Sequence, residues 1–356
     1  MSPLAKRVLL ASTVLITGLL LATEAAGRIN YFSRHGMPFF SPARDVLYRF
    51  YPNLRDVPRA GRADEPPDAV RILMLDGSTL SPGFSPVGER LEQGLAEWLQ
   101  RPVRVYNLSA PAQSSLDSWY KYWALRDRSF DLVIVYDGIN DLRANNVPDA
   151  LWRDDYSHYA WYREVNFLVR HHDWTRFGWI LPFYLQHKLV ALDRKTFNHG
   201  QKVPYNSELS RPEWMGYGAS IKTVAPFRDH FERLLDLARQ KHEPVLLMTF
   251  AWFIPEGYTE TRFNRGELPY VQQGKGTPLQ LWGTPENMTA GLQAHNGIIR
   301  DLAASRHTLF VDQERFFSGH PDYFQDVCHF TDAGAEAFAA HLLDELNAQA
   351  KAGDFS

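Results

Sequence analysis

Five short, mostly apolar runs mark the chain between residues 70 and 311, and segments with helical periodicity separate them. The runs cover residues 70–75, 103–107, 131–136, 244–250 and 308–311. Apolar runs of this length, bounded by turn residues, are typical of strands that are buried on both faces of a parallel sheet. The strands alternate with predicted helices, so the pattern predicts an α/β fold with a mostly parallel sheet.

The periodicity also divides the chain into segments. It predicts helices over residues 87–99, about 115–126, 227–240, 285–305 and 333–348. The alternation stops over residues 143–223, which are rich in tryptophan and tyrosine and are predicted to be an insertion. Residues 28–69 are polar and punctuated by proline, which predicts a stalk or linker with one short helix over 43–51. The α/β domain is therefore predicted over residues 70–142 and 224–349.

The N-terminus carries an export segment. Residues 8–23 are sixteen uncharged, mostly apolar residues, with Lys6 and Arg7 before them and Glu24 after them. Three interpretations remain open for residues 1–27: a retained signal anchor that forms a transmembrane helix, a cleaved signal peptide, and a buried N-terminal helix. In both exported cases the basic flank stays inside and the body is extracytoplasmic, either anchored to the membrane or secreted.

Composition excludes several classes of protein. The chain has 38 basic and 41 acidic side chains and a formal net charge of −3, so it lacks the broad basic field of a nucleic-acid binder. Its one cysteine, Cys328, cannot form an internal disulfide, and no cysteine and histidine spacing matches a zinc finger. We therefore predict neither a metal nor a cofactor, and no nucleic-acid partner.

Chemically useful side chains follow the predicted strands. Ser78 comes directly after Gly77 at the end of the first strand, Asn140 follows the third strand, and Asp326 and His329 precede the last helix. Ligands bind at the carboxyl ends of parallel strands, so these residues could share one site. An aspartate three residues before a histidine can orient the imidazole as a general base. Each residue alone also fits an ordinary turn or helix cap.

Taken in order, these residues resemble the sequence blocks of the SGNH hydrolase superfamily, also called the GDSL esterase/lipase family. The resemblance implies a flavodoxin-like, three-layer α/β/α sandwich. It implies that Ser78 is the nucleophile and that His329 and Asp326 complete a catalytic triad. It also implies an oxyanion hole formed by the backbone N–H of Ser78, the backbone N–H of Ala112 and the side chain of Asn140.

The match covers about residues 70–141 and 226–348, with two departures from the family pattern. The first block reads Asp76–Gly–Ser–Thr where Gly–Asp–Ser–Leu or Gly–Gly–Ser–Thr is commoner, so Asp76 either orients the loop or places an unfavourable charge near the oxyanion. The second block has Ala112 where the family usually has glycine. Both departures concern the geometry of the oxyanion hole more than the fold.

The resemblance implies an exported serine esterase that hydrolyses an O-acyl ester, foremost an O-acetyl ester on a cell-envelope or secreted carbohydrate. Its partners would be an acylated small molecule or polysaccharide and, through the N-terminal helix, the membrane. The alternatives are an O-acyltransferase, a lipase-like esterase and a catalytically silent glycan-binding protein of the same fold. Trp252, Trp282 and the aromatic insertion could supply stacking platforms, a lid or a second small core.

Overall fold

The computed structural model describes residues 2–58, 66, 68–196, 212–270 and 276–352. Within these ranges the chain forms a five-stranded sheet in the order β2-β1-β3-β4-β5, and every neighbouring pair is parallel. The strands are β1 (Val70–Asp76), β2 (Val103–Asn107), β3 (Leu132–Tyr136), β4 (Val245–Met248) and β5 (Leu309–Val311). This is the flavodoxin-like strand order, and the predicted fold class is confirmed.

The register of the sheet brings two predicted site loops together. Asp76, the last residue of β1, lies opposite Tyr136, the last residue of β3. The loops that carry Ser78 and Asn140 therefore leave the same edge of the sheet side by side, at the point where the strand order reverses. β4 ends earlier than the sequence predicts, because the N–H of Phe250 donates to the Asn296 side chain instead of to a neighbouring strand.

Helices connect the strands, and others precede β1 or follow β5 in the chain. They are α1 (Pro3–His35), α2 (Val87–Leu99), α3 (Ser115–Ala124), α4 (Ala160–Arg170), α5 (Leu181–Thr196), α6 (Val224–Lys241), α7 (Glu260–Asn264), α8 (Pro285–Arg306), α9 (Gln313–Phe317) and α10 (Asp332–Ala352). α3 begins with a capping box between Ser114 and Asp117, and Thr284 caps α8 through its side chain. Apolar residues such as Leu91 on α2 and Phe338 on α10 are buried in the core that contains the sheet.

The chain divides into two units. The sheet unit consists of Asp56–Asp154 and Ser207–Ser356, and the amino-terminal unit consists of Met1–Arg55 and Asp155–Asn206. In the part of the chain that the structure describes, α1 alone is long and apolar enough to cross a membrane, judged by length and composition. Its first two-thirds are exposed, whereas Gly27 and Tyr31 near its end are buried.

The amino-terminal unit has a core of its own. Trp161 on α4 packs edge-to-face against Phe50 and Tyr51, and Tyr156 and Tyr162 pack against each other. Part of the sequence predicted as a stalk is therefore folded against part of the aromatic insertion. The sequence pattern did not indicate this pairing, because the two segments lie about a hundred residues apart.

Candidate active site

Ser78, His329 and Asp326 form a continuous chain of hydrogen bonds. The Oγ of Ser78 lies 2.8 Å from the Nε2 of His329, and the Nδ1 of His329 lies 2.7 Å from the Oδ2 of Asp326. All three residues are buried, and only 7% of Ser78 is exposed. A serine hydroxyl in this position can pass its proton to the imidazole as it attacks an acyl carbon.

Backbone N–H groups hold the Asp326 carboxylate in place. Its Oδ1 accepts hydrogen bonds from the N–H groups of Cys328 (2.9 Å) and His329 (2.8 Å), and its Oδ2 accepts one from Thr277 (2.7 Å). Burial alone would raise the pKa of Asp326, but the neighbouring imidazole and these hydrogen bonds outweigh it and lower the pKa below the usual value. The carboxylate is therefore charged at neutral pH.

The Asp326–His329 pair lowers the pKa of the aspartate but raises the pKa of the histidine. Burial alone would lower its pKa, but the charge and the hydrogen bond of Asp326 outweigh burial and raise the pKa above the ordinary histidine value. The exposed ring of Phe84 stacks on the imidazole, with ring centroids 4.9 Å apart. The hydrogen bond from Nδ1 to Asp326 fixes the imidazole with its Nε2 toward Ser78.

The turn after β1 depends on Asp76 and Gly77. The Oδ2 of Asp76 accepts the N–H of Leu80 at 2.6 Å, so the side chain closes the turn that carries Ser78. A Cβ on Gly77 would collide with the Nδ2 of Asn140 and would lie 3.0 Å from the carbonyl oxygen of Gln113. Glycine is needed here because the loops after β1 and β3 approach each other too closely for a side chain.

Burial also reduces the fraction of Asp76 that is ionised, because it raises the pKa of the carboxyl. Removal from water raises its pKa to about 7, although the N–H groups of Leu80 and Gly77, the Lys121 ammonium and the His329 imidazole act in the opposite direction. The carboxyl is therefore partly neutral near pH 7. Of the two roles that the sequence left open for Asp76, the hydrogen bond to Leu80 favours the one in which it orients the loop.

The two remaining oxyanion candidates lie on the loops after β2 and β3. Ala112 has a φ of 65°, in the left-handed region that normally selects glycine. The side chain of Asn140 is held at both ends: its Nδ2 donates to the carbonyl of Gln113 at 2.8 Å, and its Oδ1 accepts the indole N–H of Trp282 at 3.1 Å. The second N–H of that amide is left to donate elsewhere.

Comparison with known protein families identifies the family of the chain. The sequence model of the GDSL-like lipase/acylhydrolase family matches residues 76–337, which include every residue described above. The chain belongs to this family. The predicted family membership is confirmed, and the chain is an enzyme that hydrolyses ester bonds, as the sequence predicts.

Solved structures similar to this acylhydrolase come from several bacteria. A lipase/acylhydrolase from Enterococcus faecalis is 15% identical, with a TM-score of 0.40 over 79% of this chain and 96% of that chain. A GDSL-like lipase from Bacteroides thetaiotaomicron is 12% identical (TM-score 0.40; 86% and 98% covered), and an acetylxylan esterase from Geobacillus stearothermophilus is 11% identical (0.39; 81% and 96%). No curated protein sequence matches the chain.

The acylhydrolase contains a buried arginine that the sequence did not single out. The Nε of Arg143 donates to the carbonyl of Asn140 at 3.2 Å, and one terminal nitrogen donates to the carbonyl of Ala112. Arg143 thus bridges the two loops that carry these oxyanion candidates. In the sequence it follows the Gly–x–Asn–Asp stretch, where it marked only the start of the insertion.

Burial of Trp282 excludes one of the roles that the sequence left open for it. It is only 2% exposed, so it cannot offer a stacking platform to a glycan. Its indole N–H instead sets the orientation of the Asn140 amide, because it can pair only with the amide oxygen. Trp252 is partly buried against the core of the sheet unit.

Cys328 lies beside the histidine but is poorly suited to act as a nucleophile. It is fully buried, and burial raises the pKa of its thiol well above the usual value. Asp326, Cys328 and His329 are the one group among the described residues whose donor atoms lie close enough together to suggest a metal. Asp326 and both ring nitrogens of His329 are already engaged in the hydrogen-bond chain to Ser78.

Proposed function

We propose that this acylhydrolase is a serine esterase in which Ser78 is the nucleophile, His329 the general base and Asp326 the residue that orients and stabilises the imidazolium. The observation that carries the proposal is the unbroken contact from Ser78 through His329 to Asp326, at 2.8 and 2.7 Å. Attack on the ester carbonyl forms an acyl-enzyme, His329 protonates the leaving alcohol, and water then releases the acid. Residues 70–142 and 224–349 would form the catalytic domain.

The proposed oxyanion donors are the N–H groups of Ser78 and Ala112 and the free N–H of the Asn140 amide. They follow β1, β2 and β3, three adjacent strands. Donors fixed on separate loops before the reaction stabilise the developing negative charge without having to reorganise. The positive φ of Ala112 supports this role, since a strained backbone is retained where its orientation matters.

For the substrate we propose a short acyl ester, foremost an O-acetyl group, on a carbohydrate of the cell envelope or of a secreted polymer. Only 7% of Ser78 is exposed, which favours a small acyl group. The exposed face of Phe84 lies next to the catalytic histidine, where an aromatic ring can pack against the apolar face of a sugar. A lipase-like esterase would need a longer acyl site.

Labelling with a fluorophosphonate probe tests the nucleophile. Wild-type protein should be labelled at Ser78, and both Ser78→Ala and His329→Ala should abolish labelling without loss of fold by circular dichroism. Ser81→Ala is the matched control, because it removes another buried hydroxyl from the same turn. Absence of labelling in folded wild-type protein would refute the esterase and favour a silent glycan-binding protein.

The preferred acyl chain length and the preferred acyl acceptor distinguish the proposed substrate from the alternatives. We expect kcat/KM to fall from p-nitrophenyl acetate to the butyrate and octanoate esters, and acetate to be released from acetylated xylan or a similar polymer. A preference for octanoate would overturn the short-acyl proposal and favour the lipase-like alternative. Transfer of the acetyl group to an added oligosaccharide in preference to water would identify an O-acyltransferase.

We also propose that α1 is retained as a membrane anchor, with the body extracytoplasmic. The Glu24 carboxylate accepts the N–H groups of Ile180 (3.0 Å) and Leu181 (2.8 Å), so it caps the start of α5. Arg28 pairs with Glu24 at 2.7 Å and donates to the carbonyl of Gly178 at the same distance. Cleavage after Ala25 or Ala26 would remove Glu24, and with it the cap of α5 and the ion pair with Arg28.

Intact-mass measurement of the full chain from bacterial membranes tests retention. We expect residues 8–23 to be present and the protein to resist extraction by carbonate. A mature protein that begins between residues 24 and 27 would refute the anchor and identify a cleaved signal peptide. Exposure of a C-terminal tag to protease in spheroplasts, but not in intact cells, would place the body in the periplasm.

A further inference from the structure

An exposed group of aromatic side chains surrounds the point where α1 loses its apolar character. Phe40 is 90% exposed, Phe177 76% and Trp179 39%. All three line one open cavity of about 370 Å³ together with Leu21 and Glu24 of α1. Leu21 is the last leucine of the apolar stretch, and Glu24 is the first acidic residue after that stretch. The aromatic group therefore lies at the level where the helix changes from apolar to charged.

The helix geometry relates this level to the depth of a bilayer. From Val8 to Thr23 a helix extends about 24 Å at about 1.5 Å per residue, and flanking residues bring it close to the thickness of a hydrocarbon core of about 30 Å. Glu24 is only about 5 Å beyond Leu21 by the same rise. Aromatic residues are enriched at this boundary, where an apolar ring contacts acyl chains and lipid headgroups together.

The aromatic group is fixed to the anchor helix. Gly178, with a φ of 72°, separates Phe177 from Trp179, and its carbonyl accepts a hydrogen bond from Arg28. Another nitrogen of Arg28 donates to the carbonyl of Phe39, next to Phe40. Arg28, which is partly buried and paired with Glu24, therefore holds both aromatic loops against the helix.

We propose that Phe40, Phe177 and Trp179, called here the aromatic collar, insert into the headgroup region of the bilayer that α1 crosses. The occupant is a lipid surface, because the collar is continuous with the exposed apolar face of the helix through Leu21. The inference rests on the proposed retention of α1. The collar would fix the tilt and depth of the amino-terminal unit, which a single helix alone does not determine.

The test uses the full chain in vesicles of phosphatidylcholine and phosphatidylglycerol. Single cysteines replace Phe177, Leu15 in the middle of the apolar stretch of α1, or the exposed Glu97 on α2, and each is labelled with an environment-sensitive fluorophore. The native Cys328 is fully buried, so unsubstituted protein is the control for background labelling. Lipids with spin labels at a shallow or a deep acyl position serve as quenchers.

We expect the label at 177 to shift to shorter emission wavelength and to be quenched most by the shallow spin label, the label at 15 to be quenched most by the deep one, and the label at 97 by neither. Quenching at 15 without quenching at 177 would overturn the collar but leave the anchor intact. A blue shift at 177 without quenching would indicate a protein interface and also overturn it. Absence of quenching at 15 and 177 would refute the anchor and the collar together.

Discussion

Replacing Arg143 with methionine tests whether this residue positions the proposed oxyanion hole. Only 7% of Arg143 is exposed, and its guanidinium bridges the carbonyls of Ala112 and Asn140, the two residues that carry the second and third proposed donors. Methionine preserves apolar volume but removes the charge and the hydrogen-bond donors. Arg143→Lys retains the charge but not the planar fork that reaches two carbonyls at once.

The size of the effect follows from those contacts. The Asn140 carbonyl begins the 3-10 helix Asn140–Asn146 and keeps its backbone hydrogen bond in the variant, whereas the Ala112 carbonyl loses its guanidinium partner. One buried carbonyl that loses its partner costs about 1–3 kcal/mol, so the variant should lose about this much from a typical free energy of unfolding of about 5–15 kcal/mol. Ala112 pays about 1–2 kcal/mol for its left-handed backbone, which favours relaxation once Arg143 is gone. Loss of one oxyanion donor lowers kcat by about 10²–10³-fold, and this is the loss we expect for Arg143→Met.

Steady-state hydrolysis of p-nitrophenyl acetate, measured beside thermal unfolding, checks this prediction. KM should change little, because the donors act mainly in the transition state. Arg128→Met is the matched control: Arg128 is also 7% exposed but precedes β3, at the opposite end of that strand, so its loss should lower stability and leave kcat unchanged. A folded Arg143→Met enzyme with the kcat of wild type would refute the positioning role.

Three further substitutions test the site. Ala112→Gly should raise the free energy of unfolding by about 1 kcal/mol, measured by chemical denaturation, because glycine adopts a φ of 65° without strain; a destabilised variant would contradict this. Gly77→Ala should reduce kcat sharply, since the added Cβ displaces the Asn140 amide; equal turnover would show that the loops can separate. Asp326→Asn should lower kcat by about 10⁴-fold. Because His329 accepts a proton only above its pKa, which Asp326 raises, wild-type kcat/KM should fall on the acid side at a higher pH than in Asp326→Asn; an unshifted acid limb would contradict the pairing.

The sequence predicts the sheet and the residues at its edge because short contiguous segments of the chain determine both. A strand buried on two faces, such as β1 or β3, needs an unbroken apolar run, and such runs are visible without any tertiary information. The parallel arrangement then places the residues after each strand at one edge, so Ser78 and Asn140 could be predicted to meet from their positions alone. His329 and Asp326 are three residues apart, and their pairing is equally local.

Each residue whose positioning role the sequence did not reveal has at least one partner that is distant in the chain. Trp282 orients Asn140 across 142 positions, and Glu24 caps Leu181 across 157. Arg143 reaches the carbonyl of Ala112 across 31 positions, and a carbonyl is a group that every residue possesses, so no side-chain pattern marks this contact. Such contacts exist only once the loops are in place. The chemistry of this acylhydrolase can therefore be predicted from its strand ends, whereas the groups that hold that chemistry in position require the folded chain.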